Sequence, residues 1–269
     1  MNDQERLKPL ELVRRAERME LELTQWNAIR ALSGVEKRLE AKRIGETTLL
    51  IERTAPDSVY YNRVKGFGPA DLPELDDILA AYEGFAPSFD MAPPNMTEDI
   101  GIALTERGYA PAEQLAFLYT ERSEDWQAGS LFHIERVTDA AAADTFIEWI
   151  VLSNPGLNIN EATIARTRDC FHAPNFRNYM IRIDDHPAAM GSMFLHGEEG
   201  YIANDYTFPD FRGRGCQSAL LKARMHDAAE LGLKRLYTDV EFGSVSHGNM
   251  EKAGFRLAYV NTIWLKIDC

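Results

Sequence analysis

Arg212, Gly213, Arg214 and Gly215, inside the run Pro-Asp-Phe-Arg-Gly-Arg-Gly-Cys-Gln-Ser at 209–218, have the types and spacing best suited to chemistry. Gly213 and Gly215 let the backbone turn sharply and leave its N–H groups bare. An alternating apolar stretch (201–208) precedes the run. An amphipathic one (219–231) follows, with Leu221, Met225 and Ala228 at helical spacing. A glycine turn between a strand and a helix suits phosphate. The helix start adds unpaired N–H groups and the positive end of its dipole, and the two arginines add charge. A tight turn with two solvated arginines would read the same, so the surrounding elements must decide.

Just upstream, the strand period of two places Glu199, Tyr201, Ala203, Asp205 and Thr207 on one face. A carboxylate on such a strand either pairs with an arginine for structure or takes part in a reaction. Glu199 sits at a turn, where solvent alone would account for it.

The elements that must position these residues follow in a definite order. Gly232 stops the helix, and a strand alternates from Arg235 to Val240. Gly243-Ser244 opens a shorter helix that Ala253-Gly254-Phe255 closes, and a last strand runs over 257–265. Upstream, 132–137 alternates like a first strand. Thr138-Asp139 precedes a helix over 140–152, and a second helix is predicted over 160–171. Strands at 179–183 and 188–195 lead into the one before the loop.

Strand, glycine loop, helix, strand, helix, Gly-Phe, strand resembles the coenzyme A-binding half of the GNAT acetyltransferase superfamily. Its loop reads Arg/Gln-x-x-Gly-x-Gly/Ala; here Arg212, Gly215 and Gln217 occupy the three positions, Gln217 replacing a small residue. The resemblance implies acetyl-CoA as cosubstrate and the primary amine of a small molecule as acceptor, joined by direct attack in a ternary complex. It implies that Gly213, Arg214, Gly215, Cys216, Gln217 and Ser218 hold the pyrophosphate with Arg212. Thr207 and Phe208 would bond the pantetheine where their strand splays from its neighbour. The face carrying Asp205 would look at the acceptor, making Asp205 the first candidate for binding or deprotonating the amine, with Glu199 and Tyr201 behind it. Ser246 matches the family's serine, while Gly243 replaces its usual Asn and Met250 stands where many members carry a proton-donating tyrosine. Water, Ser246 or Asn249 would stand in for that acid, the two residues also bordering the cofactor. Two other classes remain: a non-catalytic acyl-CoA-binding sensor or scaffold, which Met250 favours, and a protein N-acetyltransferase, which needs an open groove.

The first half echoes the second. Gly254 lies 146 residues beyond Gly108, and Gly232 lies 148 beyond Gly84, each pair in a similar setting. At 64–71 no Arg-x-x-Gly-x-Gly pattern stands, and Pro69 removes a donor where a cradle needs one. The expectation is an α+β protein of two GNAT-like modules with mixed, mostly antiparallel sheets flanked by helices. Residues 1–122, with leading helices at about 10–32, form a degenerate module; 131–269 form the acetyl-CoA-binding one; Glu121 to Asp125 link them.

The chain has 269 residues, 45% hydrophobic and 26% charged, enough for two small domains. A net charge of −13 opposes a nucleic-acid partner. Cys170, Cys216 and Cys269 are too few and scattered for a disulfide framework or a zinc site, so no metal is expected. No apolar run reaches the roughly 18 residues of a membrane span and no apolar leader stands at Met1, so the expectation is a cytoplasmic monomer or homodimer away from membranes.

Overall fold

The computed structural model describes residues 8–123, 126 and 132–267. Its first half runs α1 (Pro9–Ile29), β1 (Glu40–Ile44), β2 (Thr47–Ile51), β3 (Arg63–Lys65), α2 (Leu75–Ala80), β4 (Ser88–Met91), α3 (Glu98–Glu106) and β5 (Tyr109–Glu121). The second runs β6 (Ile134–Arg136), α4 (Ala140–Ser153), α5 (Glu161–Thr167), β7 (Phe176–Ile183), β8 (His186–His196), β9 (Glu199–Thr207), α6 (Cys216–Glu230), β10 (Arg235–Glu241), α7 (Val245–Lys252) and β11 (Arg256–Lys266). The helix expected over 160–171 is α5 followed by a tighter 3-10 turn, Arg168–His172. Of the linker residues, Glu124 and Asp125 lie outside the described residues, as does Cys269.

The strands join in one 11-stranded sheet, ordered β1-β2-β3-β4-β11-β5-β10-β9-β8-β7-β6. The two modules therefore share a continuous sheet, because each gives its last strand to the other. β5 lies between β10 and β11, and β11 lies between β4 and β5. Most pairs are antiparallel. The parallel ones, β3 with β4 and β9 with β10, fall at matching places in the two halves. The echoed glycines also match: Gly84 and Gly232, Gly108 and Gly254 all have positive φ at helix ends. Helices α3 and α7 each start on a hydroxyl cap, Thr97 and Ser244.

Side-chain alternation divides the core between the two faces of the sheet. In β5, Phe117 and Tyr119 pack with Leu12, Ala16 and Met19 of α1. Their neighbours Ala116 and Leu118 pack with Leu220 and Leu221 of α6. In β3, Arg63 and Lys65 point to α1, while Val64 packs with Leu75, Ile78 and Leu104 of α2 and α3. Helices α1 and α4 therefore cover one face, and α2, α3, α6 and α7 the other.

Beneath α1 lies a buried ionic cluster. Glu20 accepts from Arg63 Nη2 at 2.6 Å and pairs with Lys65 Nζ at 2.9 Å, and both cations also pair with Asp90 of β4. Two positive and two negative charges balance, which buried ions require. The cluster ties α1 to strands of the first module, while Arg15 ties it to Glu199 in the second, at 3.2 Å.

Candidate active site

The site begins where two parallel strands part. β9 and β10 pair only over Glu199–Arg235, Gly200–Leu236 and Tyr201–Tyr237. Beyond them the strands diverge. The Thr238 hydroxyl still reaches the Ile202 carbonyl, at 3.0 Å. A bulge accompanies the divergence. Ala203 opposes Ser192 and Tyr206 opposes Met190, so Asn204 and Asp205 together face Gly191, with Asn204 at φ 56. An extra residue bends its strand and breaks the ladder. The opening is a cleft of about 660 Å³. Its walls include Asp205, Thr238 and Asp239 from the strands and Gln217, Ser246 and Met250 from α6 and α7. Asn27, Arg30, Tyr60 and Tyr61 line it from the α1 side. The cleft thus passes through the sheet from one face to the other.

The bulge corrects the expected strand face. Tyr201 and Ala203 pack on the α1 side, as alternation requires, but the extra residue reverses the parity and turns Asp205 to the α6 side. There it pairs with Nη2 of Arg224, a fully buried side chain that also donates to the Ser192 carbonyl at 3.0 Å and the Leu220 carbonyl at 3.1 Å. Burial raises the Asp205 carboxyl above its usual range even though Arg224 opposes the shift. Gly191 leaves room for this pair, since a Cβ there would lie 2.7 Å from Asp205 Oδ1.

Glu199 stands at the closed end of the two strands, away from the cleft walls. It accepts from the Tyr237 hydroxyl at 3.0 Å and pairs with Arg15 and Arg235. The expected solvated acid is in fact a half-buried joint between α1 and the sheet. Tyr201 is buried and donates to Asp239 Oδ1 at 2.5 Å. Burial and the nearby Asp239 charge hold this phenol well above its usual range, so it stays a donor. Burial also raises the Asp239 carboxyl, and the Tyr201 hydrogen bond works against that rise. Asp239 lines the cleft with no cation within ion-pair distance among the described residues. By sequence Asp239 is one polar position in the β10 alternation; only its contact with Tyr201 sets it apart.

The loop residues lie together at one end of the splay. Gly213 and Gly215 have φ 75 and 84, and a Cβ on either would meet no atom within 4 Å. Gly215 is the N-cap of α6, and the Ala219 N–H is the first to bond back to it, at 3.0 Å. The N–H groups of Cys216, Gln217 and Ser218 therefore have no helical partner. The Cys216 side chain is a buried free thiol, so only its backbone serves here. Arg214 is exposed and stacks over Phe211, while Arg212 Nε turns back to the Thr207 carbonyl at 3.2 Å. The residues present fit a pyrophosphate: bare donors, open space and two arginines.

At the strand end, the Phe208 N–H is already bonded to the Ala188 carbonyl at 3.0 Å, and its ring packs edge-on against Trp149. The Phe208 N–H is thus committed to β8 and is not free to bond a pantetheine. Strand alternation turns the neighbouring Thr207 N–H away from β8, toward the splay. Ser246 and Asn249 are brought together by Gln217, which donates to Ser246 Oγ at 3.3 Å and accepts from Asn249 Nδ2 at 2.7 Å. Met250 is buried beside them at the cleft wall.

The matching place in the first module is filled. After β3, Phe67 is wholly buried and meets Phe89 edge-on at 5.4 Å, and Pro69 begins a 3-10 turn. Asp71 in that turn accepts from the Thr47 hydroxyl at 2.6 Å.

Residues 143–255 match the family model described as the acetyltransferase (GNAT) family, and this part of the chain is a GNAT domain. The whole chain shares its fold with a GCN5-related N-acetyltransferase from Kribbella flavida, with a TM-score of 0.64 and 14% identity over 94% of this chain and 96% of that one. One from Sphaerobacter thermophilus gives 0.56 and 12% over 98% and 96%. A tandem GNAT protein from the clavulanic acid biosynthesis pathway gives 0.56 and 11% over 92% and 94%, so the fold is shared across both halves of the chain. No curated protein matches the sequence significantly. Among the described residues no helix is long and apolar enough to cross a membrane.

Proposed function

We propose that this protein is an acyltransferase that moves an acetyl group from acetyl-CoA to the primary amine of a small molecule by direct attack in a ternary complex. The observation that carries the reading is the continuity of the bare-donor loop, the splay of β9 from β10, and a cleft that reaches the opposite face.

Acetyl-CoA would supply the activated acetyl thioester. The N–H groups of Gly213 to Ser218 would hold its pyrophosphate, and the Thr207 N–H would steady the chain leading into the splay. The acceptor would enter from the α1 side, so that both reactants are held in line. Asp239 takes the part expected of Asp205: it binds the ammonium and accepts its proton, and its raised pKa makes it a better base than an ordinary carboxylate. Tyr201 orients that carboxylate. Asp205 is neutralised by Arg224 and shapes the wall. The departing thiolate needs little help, because a thiol of pKa near ~8.5 leaves readily; the Ser246–Gln217–Asn249 group borders it.

Met250 favours a second reading, an acyl-CoA-binding protein without turnover, because it leaves the family's acid position apolar. The walls at 27–37 and 60–61 suit a small acceptor better than a protein groove. Gly215→Glu places a carboxylate in the open cradle at a strain of about 1–2 kcal/mol for its positive φ. Calorimetry should show acetyl-CoA binding lost while the fold persists; undiminished affinity would overturn the cofactor assignment. Turnover with an amine panel separates the enzyme from the sensor.

A further inference from the structure

The acceptor side of the cleft holds a half-buried cation with no carboxylate counter-ion among the described residues. Arg30, just past α1, lies with its guanidinium 4.4 Å over the Phe176 ring and 5.5 Å from the Phe171 ring. Its Nε donates to Asn27 Oδ1 at 2.8 Å. Among the described residues no carboxylate lies within ion-pair distance of it. The fully buried cations are treated differently: Arg63 and Lys65 each touch Glu20 and Asp90, and Arg224 touches Asp205. Burial lowers the Arg30 pKa to about 10, which leaves the group fully charged at neutral pH. A partly desolvated, positively charged fork lining a cavity gains when a carboxylate arrives to pair with it. Lys37, 6.0 Å over the Tyr61 ring, adds a second positive charge on the same wall.

The same cleft carries the opposite charge at the splay, where Asp239 has no cation within ion-pair distance among the described residues. Tyr60 and Tyr61, edge-on at 4.8 Å, give the cleft an aromatic wall on its α1 side. Asn27 Nδ2 donates to the Tyr60 hydroxyl at 2.6 Å and so holds that wall against α1.

We infer that the acceptor is an amino acid, its carboxylate bound by Arg30 and its amine directed to Asp239. The inference rests on the acetyltransferase reading for the amine and on the unpaired Arg30 for the carboxylate. Arg30 is then a specificity-determining residue supplied from outside the GNAT-matching segment.

The test uses the full chain and acetyl-CoA, with the twenty amino acids, their methyl esters and the matching decarboxylated amines as acceptors. At least one amino acid should exceed its ester and its amine in kcat/KM by about 100-fold. Arg30→Gln should lower kcat/KM for that acid by about 10- to 100-fold, chiefly through KM, and bring acid and ester close together. Acetyl-CoA affinity should not change, and Arg30→Lys should restore part of the preference. Equal turnover of acid and ester, or a loss in Arg30→Gln that falls equally on both, overturns the inference. A parallel thermal-shift series with the same acids and esters, without acetyl-CoA, separates the two readings. Stabilisation by an acid but not its ester, abolished in Arg30→Gln, supports the carboxylate site even if no transfer occurs. No stabilisation by any acid, together with no turnover of any acid, overturns it even if acetyl-CoA binds.

Discussion

Two carboxylates face the cleft, and their surroundings separate their roles. Asp205 holds the charge of Arg224, whose side chain has no exposure to water. Asp205→Asn leaves that cation without a counter-ion, which typically costs about 3–5 kcal/mol. The melting temperature should fall sharply, and acetyl-CoA should restore part of it by mass action. Asp239→Asn has no ion pair to break. It should fold nearly normally, keep its acetyl-CoA affinity and lose about 10²-fold in kcat/KM for the amine, the low end for a general base. Steady-state rates beside calorimetry check both; full activity in Asp239→Asn would return the base to another group.

Glu17 of α1 gives a pH prediction at the same scale. Its Oε1 is buried with no hydrogen-bond partner. Burial raises its pKa to about 7, with Lys65 opposing and Asp90 and Glu20 reinforcing the shift. The unfolded chain ionises at the ordinary 4.5. The folded state therefore favours the protonated form: this contribution is whole below pH 4.5 and is lost as pH rises to 7. The loss is at most about 3 kcal/mol. Glu17→Gln should remove it, so that urea unfolding shows the variant gaining on the parent at pH 8 but not at pH 4.

At the scale of elements, α1 is the piece that joins one wall of the cleft to the sheet. Its apolar stripe, Leu12, Ala16, Met19 and Leu23, packs across strands of both modules, and the Glu20 cluster fixes its rotation and register. The end of α1 then delivers Asn27 and Arg30 to the cleft. Lys65→Met leaves Glu20 and Asp90 sharing only Arg63. A loss of about 3 kcal/mol or more is expected by urea unfolding, with a higher KM for the acceptor as α1 loosens. A change under 1 kcal/mol would mean the cluster does little for docking.

For the whole molecule, the exchanged strands β5 and β11 make each module's sheet incomplete without the other. Residues 131–269 alone lack β5 and leave β10 and β11 as open edges, which favour aggregation. That fragment should be insoluble by itself and recover circular dichroism and acetyl-CoA binding when produced with residues 1–122. A soluble, binding-competent fragment would show that the exchange is dispensable. Titration of the full chain should give one acetyl-CoA per chain, because Phe67 and Pro69 occupy the first module's cradle. Two per chain would mean that both modules bind it.

Local backbone geometry was legible from local sequence. Glycines with positive φ, an N-cap between strand and helix, and two-residue alternation each depend on a few consecutive residues, so Gly213, Gly215, Gln217 and the order of elements followed from the chain itself. The repeat was visible for the same reason, since Gly108 and Gly254 each end a helix of their own. The face of Asp205 was not legible, because one residue in a left-handed conformation at Asn204 reverses the alternation and nothing in its type demands it. Nor could alternation reveal that Tyr201 and Asp239 meet, that α1 brings Arg30 to the cleft, or that β5 and β11 change places. These depend on which strands become neighbours, a choice made by burying apolar faces from distant parts of the chain against one another. The loop with its bare donors is written in a dozen adjacent residues; the cleft beside it exists only once both modules have closed around it.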